Sequence, residues 1–281
     1  MDKQSRNTIL LSIGLAPLTL LIALGAIYVK NEIVIGCVAL LFMGTMLAVI
    51  FATMKQQVIR GMYHTPPKVA LDESGVEELE WAGANGFPPI GKFVAEIDNS
   101  SAPLAPAEVS LEIWKNADGT CLVRTRANKL EVLYFETVLA GERKVCVRTS
   151  SNQITHNFPS APGVFVEIFH KESLGELYIQ HRDSVGFVRR RFGLQAVEPV
   201  GDVPRRVKDT SRDDALFVMS IPKWPVKAIL WELRSKKYNK VPIADRYGDL
   251  TPSDLWQQMD DWETQKLGLI SRLENSASSG G

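Results

Sequence analysis

The sequence predicts an α+β membrane protein: an N-terminal two-helix transmembrane hairpin, a mainly antiparallel β domain in the cytosol folded as a sandwich or small barrel, and C-terminal helices. Three observations predict it. Residues 8–29 and 33–54 are two runs of 22 residues with no charged side chain. Between about 68 and 192, apolar and polar residues alternate in short segments separated by turn residues, the period of half-buried strands. After residue 225 the apolar spacing changes to that of helices.

Behind a short cytosolic tail at 1–7, each apolar run matches the roughly 20 residues a helix needs to cross a hydrocarbon core of about 30 Å. Only Lys30, Asn31 and Glu32 separate them, so the helices form a tight antiparallel hairpin. Lys3 and Arg6 precede the first run and Lys55 and Arg60 follow the second, which predicts both termini in the cytosol of a bacterial cytoplasmic (inner) membrane. A cleaved signal peptide ending near Ala23 and Gly25 is the competing reading of the first run. The second run would then act as a stop-transfer segment, and the domain stays cytosolic. Ser12, Ala16, Thr19, Ala23 and Ala26 form one small-residue stripe, and Gly36, Gly44, Ala48 and Ala52 a second; such stripes let helix backbones approach in lipid. Pro17 kinks the first helix. Neither run contains an ionisable side chain, which favours an anchor over an ion path, while a dewetted pore formed by oligomers stays open as an alternative.

Residues 55–67 are a juxtamembrane linker ending at Pro66 and Pro67. The β domain is expected over 68–221, with short strands at 69–71 and 93–97 and a loop at 81–92. Val109, Leu111 and Ile113 alternate with polar neighbours, Asn116–Gly119 supplies a turn, and Cys121, Val123 and Thr125 share one face of the returning strand. A second hairpin runs from 130–138 to 143–148 across Ala140 and Gly141. A third is expected from 164–170 to 177–182 across Gly175, which would bring His170 near His181. Further strands are expected at 187–192 and 215–221, with Asp213 and Asp214 in a solvated turn before the latter. The helical region spans 222–274. Pro225 opens a helix carrying Val226, Ile229, Leu230 and Leu233, and Thr251 caps another with Pro252 at its first position. On that last helix Leu255, Met259, Trp262, Leu269 and Leu273 form a stripe, interrupted by Lys266, that could bind a partner helix or pack on its own sheet. Residues 275–281 form a flexible tail.

The formal net charge is zero, so no global field favours nucleic acid. Locally, residues 65–120 carry 10 acidic and 3 basic side chains, and residues 121–212 carry 15 basic and 10 acidic. The basic excess gathers in Arg189, Arg190 and Arg191 and in Arg205, Arg206, Lys208 and Arg212, a candidate surface for anionic lipid or a protein partner, each residue worth roughly 1 kcal/mol near a charged bilayer. Of the three cysteines, Cys37 falls in the second run, and Cys121 and Cys146 in strands as core residues. The sequence has no phosphate-binding loop, dinucleotide fingerprint, nucleophile elbow, paired-histidine zinc motif or CxxC. No catalytic residue, metal site or cofactor is therefore expected. The expectation is a structural or adaptor subunit of a larger inner-membrane assembly, binding other proteins or further copies of itself. The alternative is an effector whose β domain senses a small ligand or lipid headgroup and whose hairpins cluster to perturb the membrane.

Overall fold

The structure, a computed structural model, describes residues 63–96, 108–127, 130–141, 143–151, 160–169, 173–194, 196–197, 201–221 and 239–278, together with Gly44. The two apolar runs, their small-residue stripes apart from Gly44, Cys37, His170 and the helix expected after Pro225 lie outside the described residues. Among the described residues no helix is long and apolar enough to cross a membrane. Met1–Val58 and Ile59–Gly281 are separate units, and the fold described here belongs to the second.

That unit is an α+β domain built on one open, mostly antiparallel sheet. Its elements are β1 (Lys68–Leu71), α1 (Glu80–Ala84), β2 (Pro89–Glu96), β3 (Glu108–Lys115), β4 (Cys121–Ala127), β5 (Leu130–Ala140), β6 (Lys144–Ser150), β7 (Val164–Ile168), α2 (Leu174–Phe192), β8 (Ala196–Val197), α3 (Val203–Ser220), α4 (Ile243–Tyr247) and α5 (Pro252–Ser278). The strands lie in the order β1-β2-β3-β4-β5-β6-β7, each antiparallel to the next except β6 and β7, which are parallel. β8 pairs with β5 at Leu139 and Ala140, past the end of β4. The first two of the three expected hairpins form. Trp114 faces Leu122 across the 116–119 turn, where Gly119 takes a φ of +84°, and Leu139 faces Val145 across Gly141.

Because side chains alternate along a strand, one register divides the sheet into two faces. On the first, Phe135, Leu122 and Trp114 meet Leu177 of α2 and Phe87, while Leu139, Val145, Val147 and Phe165 meet Val185, Val188 and Phe192 further along α2. On the second, Phe93, Leu111, Ile113, Cys121 and Val123 meet Val203 and Val207 of α3. A helix on each face is why the sheet needs no second sheet and does not close. The expectation of a sandwich or barrel is corrected accordingly.

The error traces to three segments. Residues 174–192 are one helix, not the return strand of a third hairpin followed by a strand at 187–192. Ser173 caps it in a reciprocal box with Glu176, and its buried positions, Leu177, His181, Ser184, Val185, Val188 and Phe192, follow the period of 3.6. Two of those positions are polar, and this hid the stripe. β7 therefore pairs in parallel with β6 instead of with 177–182. Residues 215–221, expected as a strand, are the last turns of α3 and its C-cap, so Asp213 and Asp214 stand within a helix and not in a turn. The segment 81–92, expected as a loop, holds the end of α1 and the start of β2.

Candidate functional site

On the sheet face covered by α3, Ile113 pairs with Val123 and Val123 with Tyr134, while Cys121 pairs with Glu136 and Glu136 with Arg148, so all six side chains stand on that face. α3 presents Val203, Arg206, Val207, Thr210 and Ser211 to it, at helical spacings of 3, 4, 7 and 8 from the first. The helix begins sharply because the Asp202 carboxylate accepts the Arg205 N–H at 3.1 Å and Pro204 suits the first turn. Helix and strands do not fully close on each other. They enclose a cavity of about 240 Å³, apolar along Leu111, Ile113, Val123 and Val207.

One end of the cavity is charged. Glu136, 6 % exposed, accepts the Arg148 Nε–H at 2.5 Å and is also ion-paired to Arg206 Nη2. Two guanidiniums thus share one buried carboxylate, and the Cys121 thiol lies against Arg206. Arg148 also feels the charge of Asp214, which is exposed on α3. Burial pushes the Cys121 and Cys146 thiols up from their ordinary value, keeping them protonated and poor nucleophiles. The cavity is thus shaped for binding an apolar body with a polar end, not for thiolate chemistry.

The opposite face holds a buried hydrogen-bonded string. The Thr149 hydroxyl donates to Glu167 Oε1 at 2.8 Å, so its oxygen accepts the His181 Nδ1–H at 2.9 Å. That tautomer leaves His181 Nε2 to accept the Thr137 hydroxyl at 2.9 Å, and Thr137 in turn accepts the Thr120 hydroxyl at 3.0 Å. Glu167 Oε2 accepts the backbone N–H of Ile243 at 3.2 Å, which fixes the start of α4. With nothing positive beside it, His181 is held neutral by burial, its pKa lowered to about 3. Burial raises the Glu167 carboxyl. Its hydrogen bonds register α2 on the sheet.

The sequence-predicted basic residues do not form one surface. Arg189, Arg190 and Arg191 end α2 on one side of the sheet, where Arg191 Nε donates to the Leu250 carbonyl at 2.8 Å. Arg205, Arg206, Lys208 and Arg212 are on α3, on the other side. Arg206 turns inward to Glu136, while Arg205 is exposed beside Asp209 at 3.6 Å. Arg212 lies over the Tyr63 ring at 4.7 Å and, with Lys208, His64, Leu273 and Glu274, borders a second hollow of about 320 Å³. The α5 stripe faces its own domain: Leu255 is in the core, Met259 packs on Gly163, and Trp262 meets Phe217 edge-on at 5.1 Å. Lys266, the break in the stripe, reaches Asp213 at 3.0 Å, and Leu269 and Leu273 are half-buried.

Sequence reasoning missed Glu136, Arg148, His181 and Glu167 as interacting groups. The second hairpin carried a usable signal, since a turn at Gly141 sets Glu136 across from Arg148. No local signal links His181 to Glu167, because they meet only when α2 folds back over the sheet. Among the described residues no three His, Cys, Asp or Glu side chains converge as a metal site requires. Compared with protein-family models, curated proteins and solved structures, the chain matches none.

Proposed function

We propose that this chain is a membrane-anchored adaptor. A two-span hairpin, N-in and C-in in a bacterial cytoplasmic membrane, tethers the α+β domain at the cytosolic side. There the domain joins a larger assembly by adding a partner strand along β1.

The observation that carries this reading is the outer edge of β1, which pairs only with β2 among the described residues. Asp72 N–H donates to the Lys92 carbonyl at 2.8 Å, so by antiparallel alternation Ala70 and Lys68 bond towards β2. The backbone groups of Val69 and Leu71 then point outward, and an edge of this kind is a template for an added strand. Leu71 is 61 % exposed and Ile90, nearby on β2, is 46 % exposed, giving such a strand apolar side chains to cover.

The test is site-specific photo-cross-linking in native membranes, with the reactive residue at Ala70 and, as a control, at Asp183 on the exposed side of α2. The expected outcome is a discrete adduct from position 70 alone, lost in Leu71→Pro, which removes an outward N–H without touching the β1–β2 ladder. No adduct, or equal adducts from both positions, would count against strand addition. The cavity under α3 favours a second reading, in which a small ligand governs oligomerisation of the hairpins. Dye release from vesicles carrying the full chain, dependent on added ligand, would distinguish that effector from an adaptor.

A further inference from the structure

The cavity beneath α3 has the volume, lining and charge of a binding site. Its 240 Å³ equals about eight water-sized volumes at about 30 Å³ each, room for a chain of about eight carbons. The sides are apolar, from Ile113, Val123 and Val207, so such a chain would replace empty contacts with packed ones. One end holds two guanidiniums against one carboxylate. A guanidinium has five N–H donors in a rigid fork, and the shared Glu136 engages one from each arginine. Beside Glu136, and Asp214 whose charge also acts on Arg148, an incoming monoanion would take up the remaining guanidinium donors in the paired geometry that carboxylates favour. A cationic head group would be repelled by both guanidiniums, and a neutral one would take up their donors without an ionic contribution.

We propose that this cavity binds a small monoanionic amphipath, a medium-chain carboxylate whose head meets Arg206 and Arg148 and whose chain lies between Val207 and the sheet. The proposal deepens the ligand-controlled reading by naming the ligand class, and it is independent of strand addition at β1. Since α3 supplies Val203, Arg206 and Val207 to the cavity and packs on α5 through Phe217 and Trp262, occupancy is felt by both helices.

The experiment is calorimetric titration of octanoate, octanol and octyl phosphate into the full chain in nanodiscs, with empty nanodiscs as the blank. One octanoate per chain is expected, with octanol at least tenfold weaker. Octyl phosphate binding as well as octanoate supports the anion site and widens the head group to a phosphate; octyl phosphate binding tenfold tighter overturns the carboxylate assignment. Arg206→Met should weaken octanoate at least tenfold. Val207→Phe, which fills the cavity, should abolish binding while leaving the thermal midpoint unchanged or raised. Absence of saturable octanoate binding, equal binding of octanol, or full binding by Val207→Phe overturns the proposal. Vesicle permeability is measured separately. A chain that binds octanoate but releases no dye keeps the site and loses the effector role; a chain that binds none loses the site whatever its effect on membranes.

Discussion

His181 illustrates how much one buried side chain commits. It sits on α2 between two threonines, one on β5 and one on β6, and both ring nitrogens are engaged. Its folded pKa of about 3 lies below the ordinary 6.5, so as pH falls below 6.5 the unfolded chain takes a proton that the folded chain refuses. Stability from this group is therefore complete above pH 6.5 and is lost progressively down to about 3. Glu167 acts in the opposite sense. Its raised carboxyl keeps a proton in the folded state above the ordinary 4.5, so its contribution falls as pH rises past that value. Unfolding followed between pH 6.5 and 5 should show the native chain losing stability, by about 1–2 kcal/mol from His181 at one proton per site. His181→Gln should be less stable at pH 7 yet show a shallower decline. An unchanged slope in the variant would remove His181 as the source. A second buried pair, Glu112 with Arg124, is linked directly across β3 and β4 with Glu77 as a further carboxylate at 3.5 Å, and Arg124 also lies over the Trp114 ring at 5.1 Å.

At the scale of elements, the two early hairpins were legible because their turns are local. Asn116 accepts the Thr120 N–H on its side chain at 2.9 Å and Gly119 adopts positive φ, both readable from the residue types. The position of Gly119 has a tertiary reason too, since a Cβ there would come within 2.4 Å of Val197 on β8. α5 was legible at its start, where Thr251 and Asp254 exchange hydrogen bonds, with Pro252 opening the helix. α2 was not, because polar His181 and Ser184 occupy positions on its buried face and break the apolar stripe. The stripe on α5 packs in cis, Leu255 and Met259 on the core under α2 and Trp262, 7 % exposed, on Phe217 of α3. Trp262→Ala should cost about 3–5 kcal/mol by leaving a cavity. Hydrogen exchange of the full chain should then quicken in residues 203–220 as well as in α5. A stripe that instead served a partner would leave stability intact and change only the oligomeric mass.

At the scale of the whole molecule, the proposed membrane attachment rests on two charge-free runs in the sequence and the basic residues around them. A reporter fused after Gly281 is expected to behave as cytosolic, and one inserted at residues 30–32 as external. A periplasmic signal at the C-terminus would reverse the orientation of the proposal, including the side on which β1 and the cavity are presented. The charge asymmetry seen in sequence, acidic before 120 and basic after it, does not survive as two surfaces. Arg124 and Arg126 pair with Glu112, Glu77 and Glu131, Arg148 on β6 with Glu136 and Arg143 with Asp260, while Arg189 to Arg191 and Arg205, Arg206 and Arg212 divide between α2 and α3 on opposite sides of the sheet.

By itself the sequence determined what short-range chemistry controls: charge-free runs of spanning length, strand alternation through β3–β6, two turns, and the cap and first turn of α5. Tertiary structure alone decided the rest. The sheet stays open because α2 and α3 cover its faces, a fact no single segment encodes. Glu136, Arg148 and Arg206 converge because two adjacent strands and a distant helix share one face. A cavity is the mismatch left between packed surfaces, and it has no sequence signature of its own.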